Sequence, residues 1–195
     1  MKYPRIAMIL LLTLTGTAVQ AQITRWVVME NSSLSVNGST NVNKFCCDIL
    51  KCDQMDTLTI YKSKKEITLT GSVSLSAGSF DCHKAMMTHD LRKTLKATKF
   101  PFLQIRFLSL TGLPELTNKP SSIAGQVEIE IAGVKKRYDV NYQVSIAAEK
   151  VICLLGCSPV KFSDFSLVPP KKLGGLVKTK DQLSVAFELR MKAIN

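Results

Sequence analysis

Six cysteines and two histidines are the residues most able to do chemistry in this chain of 195 residues. Nucleophilic catalysis requires a nucleophile, a base and a third group that orients the base. His89 and Asp90 are neighbours at the start of a predicted helix, where adjacent side chains diverge. The simpler reading is a surface histidine at a helix terminus. No catalytic residue is assigned, and the chain is not expected to be an enzyme. Cys82 and His83 lie near His89, but the Cys-x-x-Cys spacing of zinc sites is absent, so no metal ligand is assigned. Gly174-Gly175 sits in no nucleotide-binding motif and reads as a turn.

The compartment decides what the thiols do. Lys2 and Arg5 precede an apolar run, Ile6 to Leu14, and Val19-Gln20-Ala21 carries small residues at cleavage spacing. Residues 1–21 therefore read as a signal peptide, and residues 22–195 as one domain. The run falls short of the roughly 20 apolar residues that span a bilayer. The chain is expected to be exported, to a periplasmic or extracellular space. There Cys46, Cys47, Cys52, Cys82, Cys153 and Cys157 are disulfide candidates. Successive strand residues point to opposite faces. If Phe45 and Ile49 face inward, so does Cys47, and Cys82 is its first candidate partner. Cys153 and Cys157 pair with each other or with Cys46 and Cys52.

Alternation of polar and apolar residues predicts the elements that carry these positions. Ile123, Val127, Ile129 and Ile131 alternate with Gln126, Glu128 and Glu130. After Ala132-Gly133 the parity flips, and Tyr138, Val140, Tyr142, Val144 and Ile146 become the apolar set. Two such runs around a glycine turn predict a hairpin with one dry face. Runs at 67–75 and 183–191 share the period, and shorter ones occur at 26–29, 33–36, 42–49, 58–61 and 103–110. About eight or nine short strands predict an all-β sandwich or barrel. One segment differs: Met87, Leu91 and Leu95 recur every fourth residue, which predicts a short amphipathic helix from Thr88, its cap, to Ala97, stopped by Pro101. The stretches 113–122 and 168–175 read as loops.

The inward parity nominates a lining for an apolar ligand: Phe45, Leu69, Val73, Ile105, Phe107, Ile129, Val140, Tyr142 and Phe187. Tyr138 or Tyr142 supplies a polar handle for a head group. The formal charge is +11, or +9 without Lys2 and Arg5. In an exported chain such a balance points to anionic lipid or envelope polymers and not to nucleic acid. Lys171, Lys172, Lys178 and Lys180 form a local basic patch, read either as solvated turn residues or as a contact with a membrane surface.

Four segments, taken in order, resemble the bacterial YceI-like family. They are SSLSVNGSTNVNKF (32–45), MMTHDLRKTLKATKFPFLQIRF (86–107), GQVEIEIAGVKKRYDV (125–140) and KFSDFSLVPPKKLGGLVKTKDQLSVAFEL (161–189). Lys96-Ala97 and Phe100-Pro101 mark the second, and Phe162, Asp164 and Phe165 the last. The six cysteines are not a general feature of that family. The resemblance implies an eight-stranded antiparallel lipocalin-like β-barrel with one short α-helix that binds a polyisoprenoid. The expectation is a protein that holds an isoprenoid or fatty chain, quinone or polyprenol-like, with no other cofactor. The alternative is an envelope interaction module with a filled barrel and a basic working surface. Either is compatible with a barrel of about eight strands, whose interior is just wide enough for packed side chains or one small ligand.

Overall fold

The computed structural model describes residues 22–51, 56–62 and 67–194. Residues 1–21, the expected signal peptide, and Cys52 lie outside the described residues. Twelve strands are described: β1 (Gln22–Val28), β2 (Ser33–Ser39), β3 (Lys44–Ile49), β4 (Thr57–Lys62), β5 (Ile67–Ser76), β6 (Phe102–Leu110), β7 (Ser121–Ile131), β8 (Val134–Ile146), β9 (Ile152–Lys161), β10 (Lys171–Lys172), β11 (Val177–Lys178) and β12 (Gln182–Ile194). One α-helix, α1 (Ala85–Thr94), joins β5 to β6.

The strands close into an eight-membered antiparallel ring in the order β1-β4-β5-β6-β7-β8-β9-β12, with β12 returning to β1. β12 is long enough to serve two strands along one edge. Its residues 191–194 pair with β1, and 184–188 pair with β2. β1 and β2 are thus one line of chain broken by a kink, and β3 continues the sheet outward from β2. Ser32 holds the kink: its buried hydroxyl accepts the Arg190 N–H at 3.0 Å. The connections β2–β3, β5–α1–β6, β7–β8 and β9–β12 gather at one end of the barrel, called here the upper end. The loop 111–120 lies at the other end.

The predicted hairpin is β7–β8, in register from Ser121↔Val144 to Ile131↔Val134. Ala132 (φ 52°) and Gly133 (φ 80°) form its two-residue turn, the left-handed pair that matches strand twist. A bulge at Gly71 (φ 135°) interrupts β5 against β6.

Three expectations need correction. β9 was not among the expected strands, because Gly156 and Pro159 interrupt its pattern. Pro159 is tolerated because it lies beyond Cys157, the last residue of β9 paired with β8, so one strand edge is free there. The helix starts at Ala85, not at Thr88. Thr88 lies inside it and turns its hydroxyl back on the preceding turn, accepting Cys82 N–H at 2.9 Å and donating to Asp81 at 3.3 Å. The helix ends before Pro101 is reached, because Lys96 adopts φ 55° and Ala97 N–H bonds back to Arg92 O. The stretch 168–175 is not wholly a loop, since it enters the small β10–β11 hairpin.

Cys47 and Cys82 form a disulfide, 35 residues apart in sequence, which ties β3 to the segment before α1. Backbone pairing of Asp48 with Asp81 and a 2.9 Å contact between Asp48 and His83 reinforce that junction. Burial raises the Asp48 pKa, but hydrogen bonds from His83, Ser35 and Cys46 and the charge of His83 prevail and leave it lowered. The expected pairings of the other described cysteines do not form: Cys46, Cys153 and Cys157 are free thiols. Cys153 and Cys157 both face outward on β9, four residues apart, which is about 13 Å along a strand. A disulfide needs its Cα atoms within about 7 Å. β2 and β12 separate both from Cys46.

The lower half of the barrel is filled. Trp26, Leu58, Leu69, Tyr142, Leu154 and Met191 are all buried there. Glycines make room for the rings: a Cβ on Gly156 would clash with the Phe187 ring, and one on Gly125 would stand 3.0 Å from the Tyr142 ring. Burial pushes the Tyr142 hydroxyl pKa up, and neither that hydroxyl nor Trp26 Nε1 meets a partner among the described residues.

Two outcomes follow from this packing. Cys47→Ser should lower unfolding stability by roughly 4 kcal/mol in a urea titration, the loop-closure value for a crosslink spanning 35 residues. An unchanged midpoint would show that the bond contributes nothing. Tyr142→Phe should raise stability by about 1 kcal/mol, because it removes a buried hydroxyl with nothing to bond. A loss of stability would reveal a partner for that group.

Candidate functional site

Above the filled half the inward side chains leave space between them. Three cavities lie in line from the upper end downward. The uppermost, of about 200 Å³, opens between α1, the β2–β3 turn and the β10–β11 hairpin. Its wall mixes Phe45, Met86, Met87 and Val177 with Thr40, Asn43, Lys84, Asp90, Lys172 and Thr179. Leu91 and Phe162 form part of this wall and also of the next, so they stand between the two spaces. The middle cavity, of about 60 Å³, is lined by apolar residues from every side: Leu34 and Val36 of β2, Leu75 of β5, Leu103 and Ile105 of β6, Ile129 and Ile131 of β7, Val160 of β9, Leu183 and Val185 of β12. Lys161 is the one charged residue on its wall. Leu34, Leu75 and Ile105 continue into the lowest space, of about 10 Å³, beside Val73, Phe107 and Phe187.

Local chemistry explains how these walls are held. The helix is pinned at one end by the Cys47–Cys82 bond and along its side by Arg92, which donates to Phe80 O at 2.8 Å. This turns Leu91 and Leu95, one helical turn apart, down into the middle cavity. On the opposite wall the segment 162–167 folds as a compact turn. Asp181 accepts the Ser163 N–H at 2.9 Å and its hydroxyl, and Ser166 adopts φ 54°. That turn sends Phe162, Phe165 and Leu167 inward together. Tyr138 braces it: its ring stacks on Phe165 with centroids 6.3 Å apart, and its hydroxyl donates to Asp164 at 2.9 Å. Burial, and then Asp164, push the Tyr138 pKa up.

Of the nine residues nominated by parity, the structure places Phe45 on the mouth and Ile129 on the middle cavity. Ile105 lines both the middle and lowest spaces, and Val73, Phe107 and Phe187 the lowest. Leu69, Val140 and Tyr142 are buried in the packed interior instead. Tyr138 has its hydroxyl engaged by Asp164, so the polar groups that converge are those of the mouth. Sequence reasoning missed Leu34, Val36, Leu183 and Val185, although the same alternation marks them. It also missed Leu91 and Leu95, which the helical period offered. For Phe162, Phe165 and Leu167 no period was available, because the turn that gathers them is irregular.

The chemistry of the line is apolar enclosure with polar groups at one end. His83 is engaged with Asp48 on the outside of the barrel, and burial raises the Cys46 thiol pKa. Among the described residues no group of three or more His, Cys, Asp or Glu side chains is placed to hold a metal ion.

No protein-family model and no curated protein matches this sequence. Solved structures do match in shape. The chain is similar to a polyisoprenoid binding domain from Saccharophagus degradans implicated in plant cell wall breakdown, at TM-score 0.65 and 13% identity over 87% of this chain and 98% of that one. It is similar also to Burkholderia cenocepacia BcnA, at TM-score 0.61 and 15% identity over 82% and 95% of the two chains. A Campylobacter jejuni YCEI protein aligns more loosely, at TM-score 0.46 and 16% identity over 69% and 74%. The chain therefore shares the fold of the S. degradans and B. cenocepacia structures, a closed lipocalin-like all-β barrel.

Proposed function

We propose that this protein is an exported carrier that holds one isoprenoid-type chain, quinone or polyprenol-like, without acting on it chemically. The observation that carries the reading is the middle cavity, walled almost wholly by apolar side chains and divided only by Leu91 and Phe162 from a mouth where polar groups collect. An apolar tail would lie along Ile105, Ile129 and Phe187, and a polar head would meet Lys84, Lys172, Asn43 or Thr179. Tail burial would supply the affinity, at about 25 cal/mol per Å² before entropic costs. The polyisoprenoid binding of the S. degradans domain supports the ligand class. The disulfide and the N-terminal export pattern support a location outside the cytoplasm.

Small-molecule sites commonly enclose about 300–1,000 Å³. The spaces described here are smaller, so loading requires Leu91 and Phe162, which separate mouth from middle cavity, to swing aside. The filled lower half favours a second reading, an envelope interaction module with a solid barrel and a basic working surface.

Native mass spectrometry of protein taken from its own envelope, followed by organic extraction, separates the two. A co-purifying isoprenoid supports the carrier. A clean mass with no uptake of added polyprenol or quinone would sink it. Val160→Phe, which fills the middle cavity from β9, should reduce uptake at least tenfold while costing only about 1–3 kcal/mol of stability. Unchanged uptake by the folded variant would remove that cavity from the site.

A further inference from the structure

We propose that the rim of the barrel mouth docks on an anionic phospholipid bilayer. The tip of the β10–β11 hairpin enters the head-group layer, and the surrounding lysines lie on phosphates. Six large apolar side chains in the described residues are more than 60% exposed, and five surround this mouth: Val42 (66%), Met86 (69%), Val168 (76%), Leu173 (73%) and Leu176 (75%). The sixth, Leu50, lies at the other end of β3. The other exposed apolar residues, such as Ile23, Phe102 and Leu155, are about half-exposed, whereas five nearly bare ones gathered at one end form a patch that needs a partner.

Cross-links hold the patch together. Asn41, beside Val42 in the β2–β3 turn, donates to Leu176 O at 2.8 Å and accepts from Lys178 N–H at 2.9 Å. Lys172 of the hairpin is ion-paired with Asp90 of α1, one helical turn from Met86. Gly174 (φ 65°) and Gly175 (φ 96°) let the chain reverse tightly between Leu173 and Leu176, so both leucines stand at the tip.

Charge selects the partner. Lys44, Lys84, Lys161, Lys171, Lys178 and Lys180 are all exposed on these same segments. Of the carboxylates on these segments, Asp90 is ion-paired with Lys172, while Asp164 and Asp181 accept hydrogen bonds from Tyr138 and Ser163 and keep their charge, so the lysines outnumber them. Leucines flanked by an excess of lysines are what an interfacial membrane contact requires, apolar groups below the phosphates and cations level with them. A neutral protein partner would leave the lysines unanswered, and a soluble polyanion would leave the leucines in water. Docking in this pose also sets the mouth on the bilayer, so that an apolar chain passes from lipid to cavity without crossing water. The inference goes beyond the carrier reading and rests on surface residues alone.

The test is co-sedimentation of the protein with vesicles of phosphatidylcholine alone or mixed with phosphatidylglycerol, at low and high salt. The expected result is binding to the mixed vesicles only, weakened by salt. Each of Lys171→Glu, Lys178→Glu and Lys180→Glu should weaken it at least about fivefold. Leu173→Ser with Leu176→Ser should weaken it by tenfold or more, and Lys119→Glu, in the loop at the far end, should leave it unchanged. Absence of binding to the mixed vesicles, equal binding to phosphatidylcholine alone, or hairpin variants that bind as the parent does would each overturn the proposal. Uptake of polyprenol added from ethanol, without vesicles, reads the cavity separately. Its loss in the unmodified protein counts against the carrier reading and leaves the vesicle result standing.

Discussion

Everything inside this barrel depends on β12 finding partners on both edges. It meets β9 along ten residues on one side and the kinked β1–β2 line on the other. Without that closure β1 and β12 would each present an unpaired edge, and the inward stripes would face water. Closure comes from residues far apart in the chain, so it is a non-local contact that opposes a large loss of chain entropy. Ser32 matters for this reason. By bonding Arg190 at the kink it lets one strand accept two partners without leaving a buried backbone group unmet.

Closure makes an interior, and side-chain size then divides it. In the lower half Trp26, Tyr142 and Met191 are buried within the ring and fill it. Higher up, leucine, isoleucine and valine from the surrounding strands leave a cavity of about 60 Å³ among them. Glycines adjust the boundary: Gly156 seats the Phe187 ring and Gly38 the Phe45 ring, so two aromatic side chains lie along the walls of the line. An eight-stranded barrel sits at the size where such local choices decide between solid and hollow.

The upper end is built by a different device. The Cys47–Cys82 bond, the Asp48–Asp81 pairing and Arg92 on Phe80 O hold α1 over the opening, and the turn braced by Tyr138 and Asp164 faces it. These polar and covalent links sit outside the cavity and leave its wall to hydrocarbon. The Asn41 hydrogen bonds to Leu176 O and Lys178 N–H and the Lys172–Asp90 ion pair hold the exposed leucines of the hairpin and the lysines around them to the same rim. The apolar route and the basic rim thus share one framework.

Much of this was legible in the residues themselves. A period of two reports which face of a strand is dry, and it does so locally, so the β7–β8 hairpin, the inward set on β5 and β12, and the inward Cys47 facing Cys82 could be read directly. The helix was found by its period, while its start was misplaced because no side chain caps it and Thr88 bonds backward. β9 escaped because Pro159 and Gly156 are poor strand residues whose acceptability depends on their neighbours: an unpaired edge for one, a ring from β12 for the other. The sequence by itself determined the all-β class and the dry faces. Which dry residues meet and which leave a gap was decided only by the tertiary structure, because that depends on the distance between side chains on strands remote in sequence. The same holds for the turn at 162–167 and the basic rim, where residues without any shared period become neighbours only when the ring closes.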